Sequence, residues 1–236
     1  MSILCENLKL RSKDVDMFRR LRSSELFKLL QEAAIQHTEE LGMGREKTLD
    51  KGILWVVLMQ KAEIIRMPVY DEEILLKSWP GKTMHLLFPR YYSLETTEGE
   101  TLVRASAIWC LVDAETRKVV FPESYGVEIQ GVVTGAEIDL PGGIRKQDGD
   151  RERNFTIPYS FVDLNGHMNN TRYFDLAEDC VGLAAQGRQL KEIRTEYANE
   201  ARFGETLQLH WHEENGEVYL DGESDKTVFR MLLRYD

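Results

Sequence analysis

Phe161-Val162-Asp163-Leu164-Asn165-Gly166-His167-Met168-Asn169-Asn170-Thr171-Arg172-Tyr173-Phe174 is the stretch on which the reading of this chain turns. A carboxylate, an amide and an imidazole recur at every second residue, and two asparagines then precede an apolar run of helical periodicity. In an extended segment that alternation predicts Asp163, Asn165 and His167 on one side. Asn169 or Asn170 suits the N-cap of the helix that follows. The stretch would bring three reactive side chains to a helix start, where free backbone N–H groups and the positive dipole end favour a developing oxyanion. Taken singly, Asp and Asn are ordinary turn residues and a lone His is an ordinary satisfied polar group. Taken together they read as a reaction site.

Outward from this stretch the chain divides into two similar halves. Upstream, a first strand is predicted over 6–13, and Leu26, Phe27, Leu29, Leu30, Ala33, Ala34 and His37 mark an amphipathic helix from Ser23 that Gly42 and Gly44 end. Strands follow over 53–66, 73–79, 85–95 and 101–113, with a hairpin turn at Thr97-Glu98-Gly99-Glu100 and a closing turn at Asp113-Ala114-Glu115-Thr116-Arg117. Glycines interrupt 122–150, which reads as a linker. Thereafter a strand over 153–158, a second helix from Tyr173 to Ala184, and strands over 193–201, 206–213, 218–222 and 227–234 repeat the order, with Asn215-Gly216 a strong hairpin signal. The expected division is 1–121, a linker over 122–150, and 151–236.

Overlaying the halves aligns Val15-Asp16 with Val162-Asp163 and Leu26-Phe27 with Tyr173-Phe174. Tyr70-Asp71-Glu72-Glu73-Ile74 likewise aligns with Phe203-Gly204-Glu205-Thr206-Leu207. A single sheet wrapped on one helix leaves an edge strand unpaired, and a second copy can pair with it. At the positions of Asn165 and His167 the first half carries Phe18 and Arg20, so the chemistry is expected in the second half alone.

Composition narrows the function classes. A hydrophobic content of 42% predicts a folded core, and a formal charge of -10 argues against nucleic acid as a general partner. The longest apolar run, from Ile53 to Met59, falls far short of the ~20 residues of a membrane-spanning helix. The N-terminus shows no secretory or transit pattern, and Cys5, Cys110 and Cys180 are scattered and odd in number; a cytoplasmic location is the default expectation. Arg145, Lys146, Arg151, Arg153, Arg172, Arg188, Lys191 and Arg194 are the candidates for a local basic patch. His210-Trp211-His212 could present two imidazoles on one strand face but has no evident third ligand, and no phosphate loop, dinucleotide fingerprint or serine elbow occurs. No cofactor or metal is expected.

The chain resembles the acyl-acyl carrier protein thioesterases of bacteria and plants. The resemblance rests on Asp163-Leu164-Asn165-Gly166-His167-Met168-Asn169-Asn170, Leu54-Trp55-Val56-Val57, Thr101-Leu102-Val103-Arg104-Ala105-Ser106 and Glu196-Tyr197-Ala198-Asn199-Glu200. It implies an α+β fold of two fused hot-dog domains, each a long helix wrapped by an antiparallel sheet. It further implies an active site of Asp163, Asn165, His167 and Glu200, with acyl-chain selectivity shaped by the first half. Ala201 stands where plant members carry a cysteine, and no plastid-targeting extension is present, so the resemblance points to a bacterial-type member without a thiol nucleophile.

Thioester hydrolysis needs an activated water, a donor to the emerging oxyanion and a proton for the thiolate. Asp163 or Glu200 would hold the water, with His167 suited to proton transfer by its near-neutral intrinsic pKa. Which of them takes the proton is open at this point, and Glu196, four residues back on the same strand face, could substitute for Glu200. Backbone N–H groups from His167 to Asn169 are expected at the oxyanion. Asn169, Asn170, Trp55 and Met59 are the expected substrate contacts, with Trp55, Val57 and Met59 lying along an apolar strand. The expected partner is an acyl carrier protein bearing a fatty acyl chain; because that carrier is acidic, a basic rim including Arg172 and Arg194 is predicted. A homodimer is compatible with the sequence. The rival readings are an acyl-CoA thioesterase, a hot-dog enoyl-thioester hydratase and a silent acyl-binding module.

Overall fold

The computed structural model describes residues 2–236. In chain order the first half contains β1 (Leu4–Lys9), α1 (Ser23–Glu40), β2 (Ile53–Ile64), β3 (Glu73–Pro80), β4 (Phe88–Thr96) and β5 (Thr101–Asp113). The second contains β6 (Arg151–Thr156), α2 (Arg172–Val181), β7 (Leu190–Tyr197), β8 (Thr206–Glu214), β9 (Glu217–Glu223) and β10 (Thr227–Tyr235). All strand pairs are antiparallel, and they join into one ten-stranded sheet of order β1-β3-β4-β5-β2-β7-β10-β9-β8-β6. Reading outward from the β2–β7 seam, each strand of the first half holds the same place as the strand numbered five higher in the second, so the internal repeat appears as a two-fold arrangement about that seam. Met59 faces Glu196 there and Glu63 faces Glu192.

Each helix forms because its apolar residues recur at three- and four-residue intervals. In α1 that stripe is Leu26, Phe27, Leu30, Ala33 and Ala34, all buried, and the helix gives way at Gly42, whose φ of 68° needs no Cβ. The second helix is shorter than its sequence pattern predicts. It ends at Val181 because Gly182 adopts φ 74°, and Ala184 lies instead in a short 3-10 turn.

Two further departures bear on function. The predicted strand over 193–201 ends at Tyr197, because the N–H groups of Ala198 and Asn199 both turn to the carbonyl of Val228 and the Asn199 amide donates to Thr227. Residues 198–205 therefore form a loop, and Glu200 rides on it. The connecting segment after Tyr125 contains no helix or strand before β6, yet it is fastened across the sheet face. Val132 donates to Pro80, Trp79 Nε1 to Glu137, Ser106 Oγ to the Asp139 carbonyl, and the Ile144 N–H to Glu196. Gly131 makes that crossing possible, since a Cβ there would fall 2.3 Å from the Lys82 nitrogen.

The two helices meet at the centre of the molecule. The rings of Phe27 and Phe174 stack at 3.9 Å with 6° between planes, and beside them Ser23 Oγ donates to Glu178 Oε1 at 2.7 Å. Burial pushes the Glu178 carboxyl up to about 7. A raised native pKa means that the charged form is disfavoured in the fold, so stability present near pH 4.5 is lost as pH rises through about 7. The variant E178Q, which keeps an acceptor for Ser23, should be more stable than the parent at pH 8 by on the order of 2 kcal/mol, with the difference shrinking toward pH 4.5. Urea unfolding at the two pH values measures this, and a pH-independent difference would refute the assignment.

Candidate active site

The residues from Asp163 to His167 form a tight turn rather than an extended segment. Asp163 N–H donates to the His167 carbonyl at 3.0 Å, Gly166 N–H to the Asp163 carbonyl at 3.0 Å, and Gly166 sits at φ 80°. The Asp163 carboxylate accepts from the Asn165 N–H at 2.8 Å and from Asn169 Nδ2 at 3.3 Å. Asn169 Oδ1 in turn accepts from the Thr171 N–H at 2.9 Å and its hydroxyl at 2.7 Å; the N-cap of α2 is Thr171 rather than Asn169 or Asn170, and Asn169 instead closes the turn that precedes it. One carboxylate thus holds the loop from within.

That economy leaves little of the backbone for an oxyanion. Met168 N–H donates to the Ala201 carbonyl at 2.7 Å and Asn169 N–H to the Phe161 carbonyl at 2.9 Å, so these two expected oxyanion donors are already spent. Asn170 is bound through its carbonyl, which lies 3.0 Å from the Tyr197 hydroxyl. The side chains of Asn169 and the carbonyl of Asn170 therefore organise the loop.

The return loop after β7 brings Glu200 to His167. Glu200 Oε2 lies 2.8 Å from His167 Nε2, with the imidazole largely buried and the carboxylate half-buried. A carboxylate can only accept, so this 2.8 Å contact, shorter than the 3.3 Å approach of Arg117 to the same nitrogen, favours the hydrogen on Nε2 and leaves Nδ1 as the acceptor. Arg117 completes the group. Its guanidinium lies 3.4 Å from Glu200 Oε1 and 3.3 Å from His167 Nε2. Burial lowers the His167 pKa from its usual value; Glu200 acts to raise it and Arg117 to lower it. The imidazole is neutral at neutral pH.

Arg117 was not legible as a site residue. It occupies the turn that closes β5, at φ 58°, where Asp113 Oδ1 takes the N–H groups of Glu115 and Thr116. Nothing in that local pattern reports that the turn faces the other half of the chain. Glu196, the expected substitute for Glu200, is committed elsewhere, accepting from the Ile144 N–H at 3.0 Å.

Asn165 also reaches the mouth of a cavity of about 180 Å³ that lies mainly in the first half, between α1 and the sheet. Ile53, Trp55, Phe88 and Trp109 supply its apolar walls, and exposed Ile35, Leu49 and Leu164 stand at its rim. Trp55 is fixed by Nε1 donating to the Met43 carbonyl at 3.2 Å and by an edge contact with Phe88. Met59, expected beside it, does not line this cavity. A bulge between Val57 and Met59 shifts the alternation of β2 and sets Met59 opposite Ile108 and Glu196. The predicted basic rim is also altered, since Arg172 is paired with Asp175 at 3.0 Å and Arg194 with Glu192.

Comparison with known proteins agrees with this fold. Residues 3–124 match the acyl-ACP thioesterase N-terminal domain family and residues 144–235 its C-terminal domain family. An acyl-[acyl-carrier-protein] hydrolase of Cuphea viscosissima is 24% identical over 98% of this chain, and a palmitoyl-acyl carrier protein thioesterase of Arabidopsis thaliana is 24% identical over 86% of it. The chain spans 58% and 53% of the lengths of those two proteins. An acyl-ACP thioesterase structure from Bacteroides thetaiotaomicron superposes with a TM-score of 0.86 at 21% identity, covering 99% of this chain and 98% of that one. The 12:0-ACP thioesterase of Umbellularia californica superposes at 0.81 and 17% identity, over 99% and 97%. The double hot-dog fold is shared across them.

The first half keeps the loop but converts its contents into a strut. Arg20, at the position of His167, bonds Asp16 and donates to the carbonyls of Gly187 and Arg188, each at 3.1 Å, and of Ala184 at 3.4 Å. Phe18, at the position of Asn165, lies under the same guanidinium. This strut ties the first half to the second on the side opposite the His167 loop. R20M would leave those carbonyls without their donor and should lower stability by about 2–4 kcal/mol, as measured by the urea midpoint with an unchanged slope. A loss under ~0.5 kcal/mol would mean that solvent satisfies them equally well.

Proposed function

The chain belongs to the acyl-ACP thioesterase family, and from that premise we propose that it hydrolyses the thioester of a fatty acyl group on acyl carrier protein, releasing the fatty acid and the carrier thiol. The observation that carries the reading is the His167–Glu200 contact of 2.8 Å beside Arg117, two residues from an asparagine at the mouth of an apolar cavity. The acyl chain enters the cavity and its carbonyl stops near Asn165. His167 Nδ1 takes a proton from water as the oxygen attacks the carbonyl carbon, while Nε2–H stays on Glu200, which stabilises the imidazolium. The Asn165 amide donates to the oxyanion in place of the backbone groups spent in the loop. Collapse of the tetrahedral species breaks the C–S bond, and the imidazolium returns its proton to the departing sulfur. Asp163 holds Asn165 and Asn169 in register and acts as a positioning residue. Ala201, fully buried with its carbonyl bonded to Met168, has no part in the chemistry, in keeping with hydrolysis by water without a thiol nucleophile.

The carrier protein is the proposed partner and the cytoplasm the proposed compartment, the latter supported by three unpaired cysteines. Among the described residues no helix is long and apolar enough to cross a membrane.

Thiol release from acyl carrier protein substrates, run beside the matched acyl-CoAs, tests the reaction. Release should be faster from the carrier protein, and H167A should lower kcat by about 10²–10⁴-fold. Hydration at the β-carbon with no free thiol, or undiminished turnover by H167A, would overturn the reading. The pH dependence of kcat/KM tests the roles. A base must be unprotonated, so activity falls on the acid side as pH drops through the His167 pKa. Because Arg117 lowers that pKa and Glu200 raises it, R117M should move the acid limb to higher pH and E200Q to lower pH. Parallel movement of both would exclude His167 as the base.

A further inference from the structure

The lining of the cavity carries a charge that has no carboxylate partner. Arg90, on β4, lines the cavity and is only 4% exposed. Its Nη1 lies 3.1 Å from His37 Nδ1 and 2.9 Å from Ser78 Oγ, and Nη2 lies 3.1 Å from Thr38 Oγ1, itself part of the lining. Every one of these partners is neutral, because burial and Arg90 itself depress the His37 pKa to about 4. Among the described residues no carboxylate lies within ion-pair distance of Arg90, and its Nε–H and second Nη2–H have no protein acceptor. The guanidinium has five donors and remains charged under all ordinary conditions.

A plain alkyl chain packed against Arg90 would strip water from a buried cation without an ion-pair partner and offer nothing in return. An oxygen acceptor on the chain would complete the guanidinium's hydrogen bonding without desolvation loss. We propose that the cavity selects acyl chains carrying an oxygen acceptor remote from the thioester, a hydroxyl, oxo or carboxylate group, with Arg90 as the residue that recognises it. The proposal rests on the hydrolase reading above and adds the class of acyl group. Asn165 and Arg90 line one cavity together with Ile53, Trp55, Phe88 and Trp109, so an acyl chain that meets both residues carries its oxygen on a part remote from the reacting carbonyl.

The test uses acyl-pantetheine thioesters in three ladders of matched chain length, bearing a terminal methyl, hydroxyl or carboxylate. For the native protein, kcat/KM for an oxygenated chain should exceed that for the plain chain of equal length by at least about tenfold at one length, through KM. The hydroxyl and carboxylate arms separate a neutral acceptor from an anionic one. R90M should abolish or invert that ratio, and R90K should keep part of it. Since each ratio is taken within one preparation, partial misfolding of a variant does not distort it; if R90M fails to fold, the native ladders and R90K decide. A native preference for plain chains at every length, or an R90M ratio equal to the native one, would overturn the proposal. Absence of thiol release from all three ladders, short plain chains included, would instead count against the hydrolase reading itself.

Discussion

The antiparallel pairing of β2 with β7 is the constraint from which the rest of the molecule follows. Each half wraps a helix with five strands and is left with an edge at its innermost strand, where unpaired backbone groups invite another chain. Pairing those two edges removes both liabilities at once and draws the helices together, so that Phe27 and Phe174 stack at the centre. Because β5 lies directly beside β2, the turn that closes β5 comes to rest against the His167 loop of the other half. Arg117 therefore reaches Glu200 by way of the seam, with no local instruction of its own.

A two-fold arrangement produces two equivalent places for a site, and the chain treats them oppositely. On one side a histidine and a glutamate face each other next to an open cavity. On the other, an arginine spans to three backbone carbonyls and an aspartate. The substitution of one cationic side chain for an imidazole turns a titratable, loosely filled position into a saturated one. A guanidinium with all its donors engaged stabilises the contact between halves but has neither a lone pair to accept a proton nor room for a substrate. Stability and reactivity are thus divided between equivalent loops.

The repeat, the strand order and the reactive stretch were legible because each depends on short-range pattern. Apolar residues at helical spacing mark α1 and the Asn215-Gly216 turn marks a hairpin, whereas the turn at Gly166 departs from the extension that alternation predicted. What escaped was decided by contacts across the chain. Glu200 lies in a loop rather than on a strand because Val228, on β10, captures two N–H groups and ends β7 early. Met59 leaves the cavity because a bulge in β2, a property of its pairing with β5, interrupts the alternation. Arg117 and Arg90 were invisible for the same reason, since neither a turn arginine nor a strand arginine differs locally from a solvated one. His37 read as part of the stripe that marks α1, yet its partner, a buried guanidinium from β4, could be found only in the folded chain.

The central claim is that one hydrolytic centre is assembled from both halves, with Arg117 and Glu200 acting together on His167. A double-mutant cycle of R117M and E200Q on kcat/KM measures it most directly. Shared function predicts that the double variant loses little more than the worse single variant, a coupling of about 1 kcal/mol or greater. Losses that simply add would show that the two residues act independently and that the seam does not build the site.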